Sequence, residues 1–110
     1  MIEDTLAKIE ARLAKAGVLA KDQRTELLGL LSTLRTEIGE LSKTHSEQAQ
    51  SITAFTEVST HEATRVERNP QLLQLSVQGL SASVQGFEGS HPKLVEIVNA
   101  ISLMLSNSGV

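Results

Sequence analysis

The sequence predicts an all-α fold: a long central helix with a short N-terminal helix and a C-terminal helical hairpin, a coiled-coil-like helical bundle in a single domain over residues 1–110. Three observations carry this. Apolar residues recur at alternating spacings of four and three along most of the chain, which places them on one face of a helix. No stretch alternates with the period of two that marks a strand. The apolar residues are Leu, Ile, Val and Ala, with two phenylalanines and no tryptophan or tyrosine, a helix-forming palette.

The first helix is predicted from Ile2 to Ala16, with Ile2, Leu6, Ile9 and Leu13 on one face and Gly17 as its C-terminal stop. The connection GVLAKD is short, so the next helix lies beside the first. Asp22 is the predicted N-cap of that helix, with Glu26 near its positive end.

The second helix is predicted from Gln23 to Arg68, so that the element covers 22–68. Leu27, Leu31, Leu34, Ile38, Leu41, His45, Gln48, Ile52, Phe55, Ser59, Glu62 and Val66 keep a four-three alternation through more than five heptads. Unbroken, it would be about 70 Å long. Gly39 and the run Thr44-His45-Ser46-Glu47, which matches a capping box, mark a possible break near residue 44. The heptad phase does not slip there, which favours continuity.

Asn69-Pro70 ends the long helix, because a residue before proline is pushed out of helical dihedrals. A third helix follows over 71–87 with Leu73, Val77, Leu80, Val84 and Phe87 in its stripe. A fourth spans 92–107 with Leu94, Val98, Ile101 and Leu105, and Gly109 stands as its C-cap. Between them, GFEGSHP reads as a hairpin turn. Gly86 and Gly89 let the chain reverse, Phe87 plugs the turn, and Ser90 and His91 precede Pro92 at the first helical position. Glu88, Ser90 and His91 contain an acid, a nucleophile and a base, but neighbours in sequence do not line up as a triad.

That closing segment carries a resemblance. Phe87, Glu88, Ser90, His91, Pro92 and Leu94, with Asn107 and Gly109 behind them and LAKIEARLAKAG at the start, resemble a family of short bacterial proteins of unknown function ending in F-E-x-S-H-P-x-L and a terminal N-x-G-I. Val110 stands where the family has Ile. The resemblance implies a helical protein and brings no activity, catalytic residue or cofactor with it.

Length arithmetic predicts self-association. Three helices of roughly 25 Å cover only part of a 70 Å stripe, which leaves the region Leu34 to Gln48 without a partner in its own chain. The predicted interface of a homodimer or higher homo-oligomer is Leu31, Leu34, Ile38, Leu41, His45, Gln48, Ile52 and Phe55. His45 in that stripe reads as a hydrogen-bonded core histidine, with a ligand or pH-sensitive position as the alternative. His61, in STHEATR, lacks the second histidine of the H-E-x-x-H zinc motif, since Arg65 stands there. Glu57, His61 and Arg65 read as a charge ladder on one helix face. A metal site between subunits, using His45 or His61, is the alternative.

Composition narrows the classes further. A formal net charge of −3 gives no general attraction to phosphate backbones, and Lys8, Arg12 and Lys15 are interleaved with acids and lack aromatic partners. No cysteine is present, which excludes thiolate metal sites and cysteine nucleophiles. No secretory signal and no membrane-length apolar run is read, so the expected address is cytoplasmic. The predicted function is a non-catalytic structural or protein-interaction module with no cofactor, whose partner is itself or another protein, not nucleic acid and not a membrane. The alternative is a metal or small-ligand site at a subunit interface.

Overall fold

Five helices make up the regular structure of the described residues, 2–107, in a computed structural model: α1 (Ile2–Ala14), α2 (Lys21–Ser42), α3 (Ser46–Thr64), α4 (Pro70–Ala82) and α5 (Pro92–Asn107). No strand occurs among them, so the chain is all-α. The predicted C-cap Gly109 and the terminal Val110 lie outside the described residues.

Helix α1 buries Leu6, Ile9 and Leu13, the spacing that its amphipathic sequence dictates. It stops at Ala14 rather than Ala16, and Ala16 and Leu19 of the connection are themselves buried. The Ala14 carbonyl accepts a hydrogen bond from Arg24 Nη1 at 3.3 Å, a cap supplied by the next helix. Asp22 is not the N-cap of α2. Ala20 takes that place with extended backbone, its carbonyl accepting from Arg24 N–H at 2.9 Å and its own N–H donating to Gln23 Oε1 at 3.3 Å. Asp22 falls in the first turn, where its charge still faces the positive end of the helix. Arg35 of α2 pairs with Glu10 of α1.

The long central helix is not formed. It would be about 70 Å long, whereas the molecule measures 37 × 24 × 22 Å along its principal axes. The chain instead breaks at residues 43–45 and α3 folds back onto the bundle, packing against α1, α2 and α4. The break is narrow. His45 N–H still donates to the Leu41 carbonyl at 2.8 Å and the His45 carbonyl already accepts from Ala49 N–H at 2.9 Å. Lys43 keeps helical dihedrals, while His45 leaves them at φ −134°, ψ 64°. Ser42 Oγ donates to the Gly39 carbonyl at 2.8 Å and Thr44 Oγ1 to the Leu41 carbonyl at 3.4 Å, so side chains compete with the helical ladder where it ends. His45, not Thr44, is the N-cap of α3, and no side chain caps it.

The buried face of α3 follows the heptad reading only in part. Ile52, Ser59 and Glu62 are buried as read, but Gln48 is exposed, Phe55 is 38% exposed and Val66, beyond the helix, is 94% exposed, while Ala49, Thr53, Thr56, Thr60 and Ala63 also point inward. Several of the hydroxyls on this face are satisfied within the helix itself. Thr53 donates to the Ala49 carbonyl, Thr56 to Ile52 and Thr64 to Thr60, each at 2.8 Å, and Ser59 to Phe55 at 2.7 Å. A stripe of small residues with internally bonded oxygens gives α3 a flat inner surface for its neighbours.

Helix α3 ends at Thr64, ahead of the predicted Arg68, because Arg65 is extended (ψ 152°). Asn69 then opens α4 rather than closing the long helix: its Oδ1 accepts from Leu72 N–H at 3.1 Å, and Pro70 follows at the first helical position. Leu73, Val77 and Leu80 of α4 and Val84 beyond it are buried. The helix stops at Ala82 instead of Phe87, and Gly86 turns the chain with φ +96°. The His91 carbonyl accepts from Val95 N–H at 3.3 Å to start α5, which buries Leu94, Val98, Ile101 and Leu105 against α2 and α4. Ser81 and Ser102 join α4 to α5 by a 3.3 Å hydroxyl contact.

Candidate functional site

The fold uses most of the predicted self-association stripe internally. Leu34, Ile38, Leu41 and Ile52 have no exposed surface and Leu31 has 1%, all within the chain's own core. With α3 folded back, these side chains already have partners in their own chain and present no free surface for the predicted pairing of two copies. His45 and Gln48 are exposed because they lie at the break and the first turn of α3.

Phe55 remains at the surface, and it marks a different face. Its ring lies directly against Gly79 of α4, so close that a Cβ built there would meet Phe55 Cε1 at 2.3 Å. Val58 follows one turn later on α3, and Leu75 and Leu72 precede Gly79 at helical spacing on α4. Helices α3 and α4 pack together through a short connection, so these positions run alongside one another. Val58 is 47% exposed, Leu72 41% and Leu75 56%, which makes the outer face of the pair apolar. No Asp, Glu, Lys or Arg occurs anywhere from Asn69 to Phe87. Around the corner of α4, a cleft of about 550 Å³ is lined by Leu73, Val77, Gln74, Gln78, Arg68 and Ser106.

A second cluster forms where the α2–α3 break meets the α4–α5 turn. The rings of His45, Phe87 and His91 make a triangle, with centroids 5.5 Å apart for His45–Phe87, 5.6 Å for Phe87–His91 and 6.2 Å for His45–His91. All three pairs are edge-on, the favourable geometry for aromatic contact. His45 is thus a surface ring packed on Phe87 rather than a core histidine. His45 Nδ1 lies 2.8 Å from Thr44 Oγ1 and His91 Nδ1 3.0 Å from Ser90 Oγ. Glu88 turns away from both and accepts from Gly86 N–H at 3.0 Å, so Ser90, His91 and Glu88 do not form a relay.

His61 stands at the other end of α3, about 24 Å from His45 along the helix, so the two candidate ligands do not share a site in one chain. The charge ladder rearranges as well. Arg65 pairs with the buried Glu62 at 3.0 Å, and His61 Nε2 lies 4.0 Å from the same carboxylate, while Glu57 is exposed. Among the described residues no group of three or more His, Cys, Asp or Glu side chains is placed to hold a metal ion, and no helix is long and apolar enough to cross a membrane. Comparison with known proteins finds no matching family model, no matching curated protein and no matching solved structure.

Proposed function

We propose that the protein is a non-catalytic interaction module that pairs with a second copy of itself through the outer face of α3 and α4. The observation that carries this is the row of Phe55, Val58, Leu72 and Leu75, all substantially exposed on neighbouring helices. Large apolar side chains exposed together on one face, rimmed by polar residues, mark a docking surface. The occupant is argued from charge. The chain carries a net charge of −3, yet α4 has no charged residue and Glu62, one turn beyond Val58 on α3, is paired with Arg65, so two copies can bring these faces together with little opposition of like charges at the centre. Pairing would add a polar rim from the glutamines of α4 and reach micromolar affinity, below that of an obligate dimer. The reading includes membership of the short bacterial family that the closing motif resembles, and a cytoplasmic address.

Sedimentation velocity from 1 to 500 μM tests it. A concentration-dependent monomer–dimer equilibrium is expected, abolished by Leu75→Glu and by Val58→Glu and retained in His61→Ala. A species that stays monomeric throughout, or a dimer indifferent to both glutamates, overturns the reading.

A further inference from the structure

We propose that His45 and His91 form a two-imidazole site for a borderline divalent transition-metal ion, with zinc as the probe. The site belongs to a single chain and involves neither His61 nor a subunit interface. Thr44 Oγ1 lies 2.8 Å from His45 Nδ1, and in the tautomer that binds metal the hydroxyl accepts there from Nδ1–H. The lone pair of His45 is then on Nε2, which has no protein partner in this structure. Ser90 Oγ holds His91 Nδ1 at 3.0 Å in the same way, and with the hydroxyl as acceptor its Nε2 is free too. A ring nitrogen fixed by a hydrogen bond, with the opposite nitrogen open, is the outer-shell arrangement that orients metal-ligating histidines.

The spacing fits with little movement. Zinc binds imidazole nitrogen at about 2.0–2.1 Å, which puts the metal roughly 3.2 Å from each ring centroid. Two imidazoles at a tetrahedral angle then have centroids about 5.2 Å apart. The observed separation is 6.2 Å with the ring planes 83° apart, so binding needs the pair to close by about 1 Å and both rings to turn Nε2 toward one point. Phe87 packs edge-on against both rings. No third protein donor is supplied, because Glu88 is engaged by Gly86 N–H. Water fills the other positions. Half the ligand set of a structural zinc site gives about half its binding free energy, a Kd on the order of 10 μM.

Isothermal titration of untagged protein with zinc chloride at pH 7.5 is the test. One ion per chain is expected, with His45→Ala and His91→Ala each weakening binding at least tenfold and His61→Ala leaving it unchanged. Circular dichroism of each variant confirms that it folds, and His45→Asn and His91→Asn repeat the comparison with smaller changes of shape. No heat up to 1 mM zinc, or binding that survives both substitutions or is lost in His61→Ala, overturns the site.

Discussion

The ring of Phe55 fills the space above Gly79: a Cβ there would stand 2.3 Å from Cε1 and 2.6 Å from Cδ1. Alanine at residue 79 improves helix propensity by about 1 kcal/mol but drives a 38%-exposed ring off its seat. In the wild type the two effects nearly cancel. In a Phe55→Ala background, Gly79→Ala should stabilise by about 1 kcal/mol, since only the propensity term remains. Urea unfolding of the four proteins measures the coupling, and equal effects in both backgrounds would remove the contact from the account.

Two other glycines should respond in opposite directions. Gly86 has φ +96°, which L-residues resist, so Gly86→Ala should cost about 1–2 kcal/mol. Gly39 sits inside α2 with nothing within 4 Å of an added Cβ, so Gly39→Ala should gain about 0.5–1 kcal/mol. Thermal unfolding of the pair gives the signs directly.

Asn69 holds the start of α4 through one bond to Leu72 N–H. Removing it in Asn69→Ala should cost about 1 kcal/mol, which lowers Tm by roughly 4–8 °C in a domain of this size. Asn69→Asp keeps the acceptor and should hold most of the stability, whereas equal losses in both would mean that the oxygen is not what matters.

Leu34 and Leu75 separate the core from the proposed docking face. Leu34 has no exposed surface, so Leu34→Ala should cost about 2–5 kcal/mol, and Leu34→Glu should leave the chain without cooperative unfolding. Leu75 is 56% exposed, and Leu75→Glu should preserve helicity by circular dichroism while shifting the mass towards the monomer. Loss of helicity in Leu75→Glu would place this residue in the core instead.

Local periodicity carried much of the fold. Leu6, Ile9 and Leu13 are spaced as a buried helix face must be, and so are Leu94, Val98, Ile101 and Leu105, and each set is buried. The break between α2 and α3 was marked in the sequence by Gly39 and the capping pattern from Thr44 to Glu47, but the four-three spacing runs through His45, Gln48 and Ile52 without slipping and favoured continuity. What decides it is a single dihedral pair at His45 and the burial gained when α3 returns to the bundle, a long-range term that no local window contains. The inner face of α3 was hidden for another reason. Thr53 and Thr56 look like surface residues until their hydroxyls are seen bonded to carbonyls in the same helix. The meeting of His45 with His91 joins residues far apart in sequence. Only the placement of two turns at one end of the bundle makes it.

A bend that rests on one residue also has an alternative outcome. If His45 adopted helical dihedrals, the hydrogen bonds from His45 N–H to the Leu41 carbonyl and from Ala49 N–H to the His45 carbonyl would already be in register for an uninterrupted rod. Two straightened molecules could then trade their carboxyl-terminal halves, each completing the other's fold with the same contacts it had made alone. Such entangled pairs should accumulate on refolding at high concentration and come apart slowly, because separation requires both bundles to open.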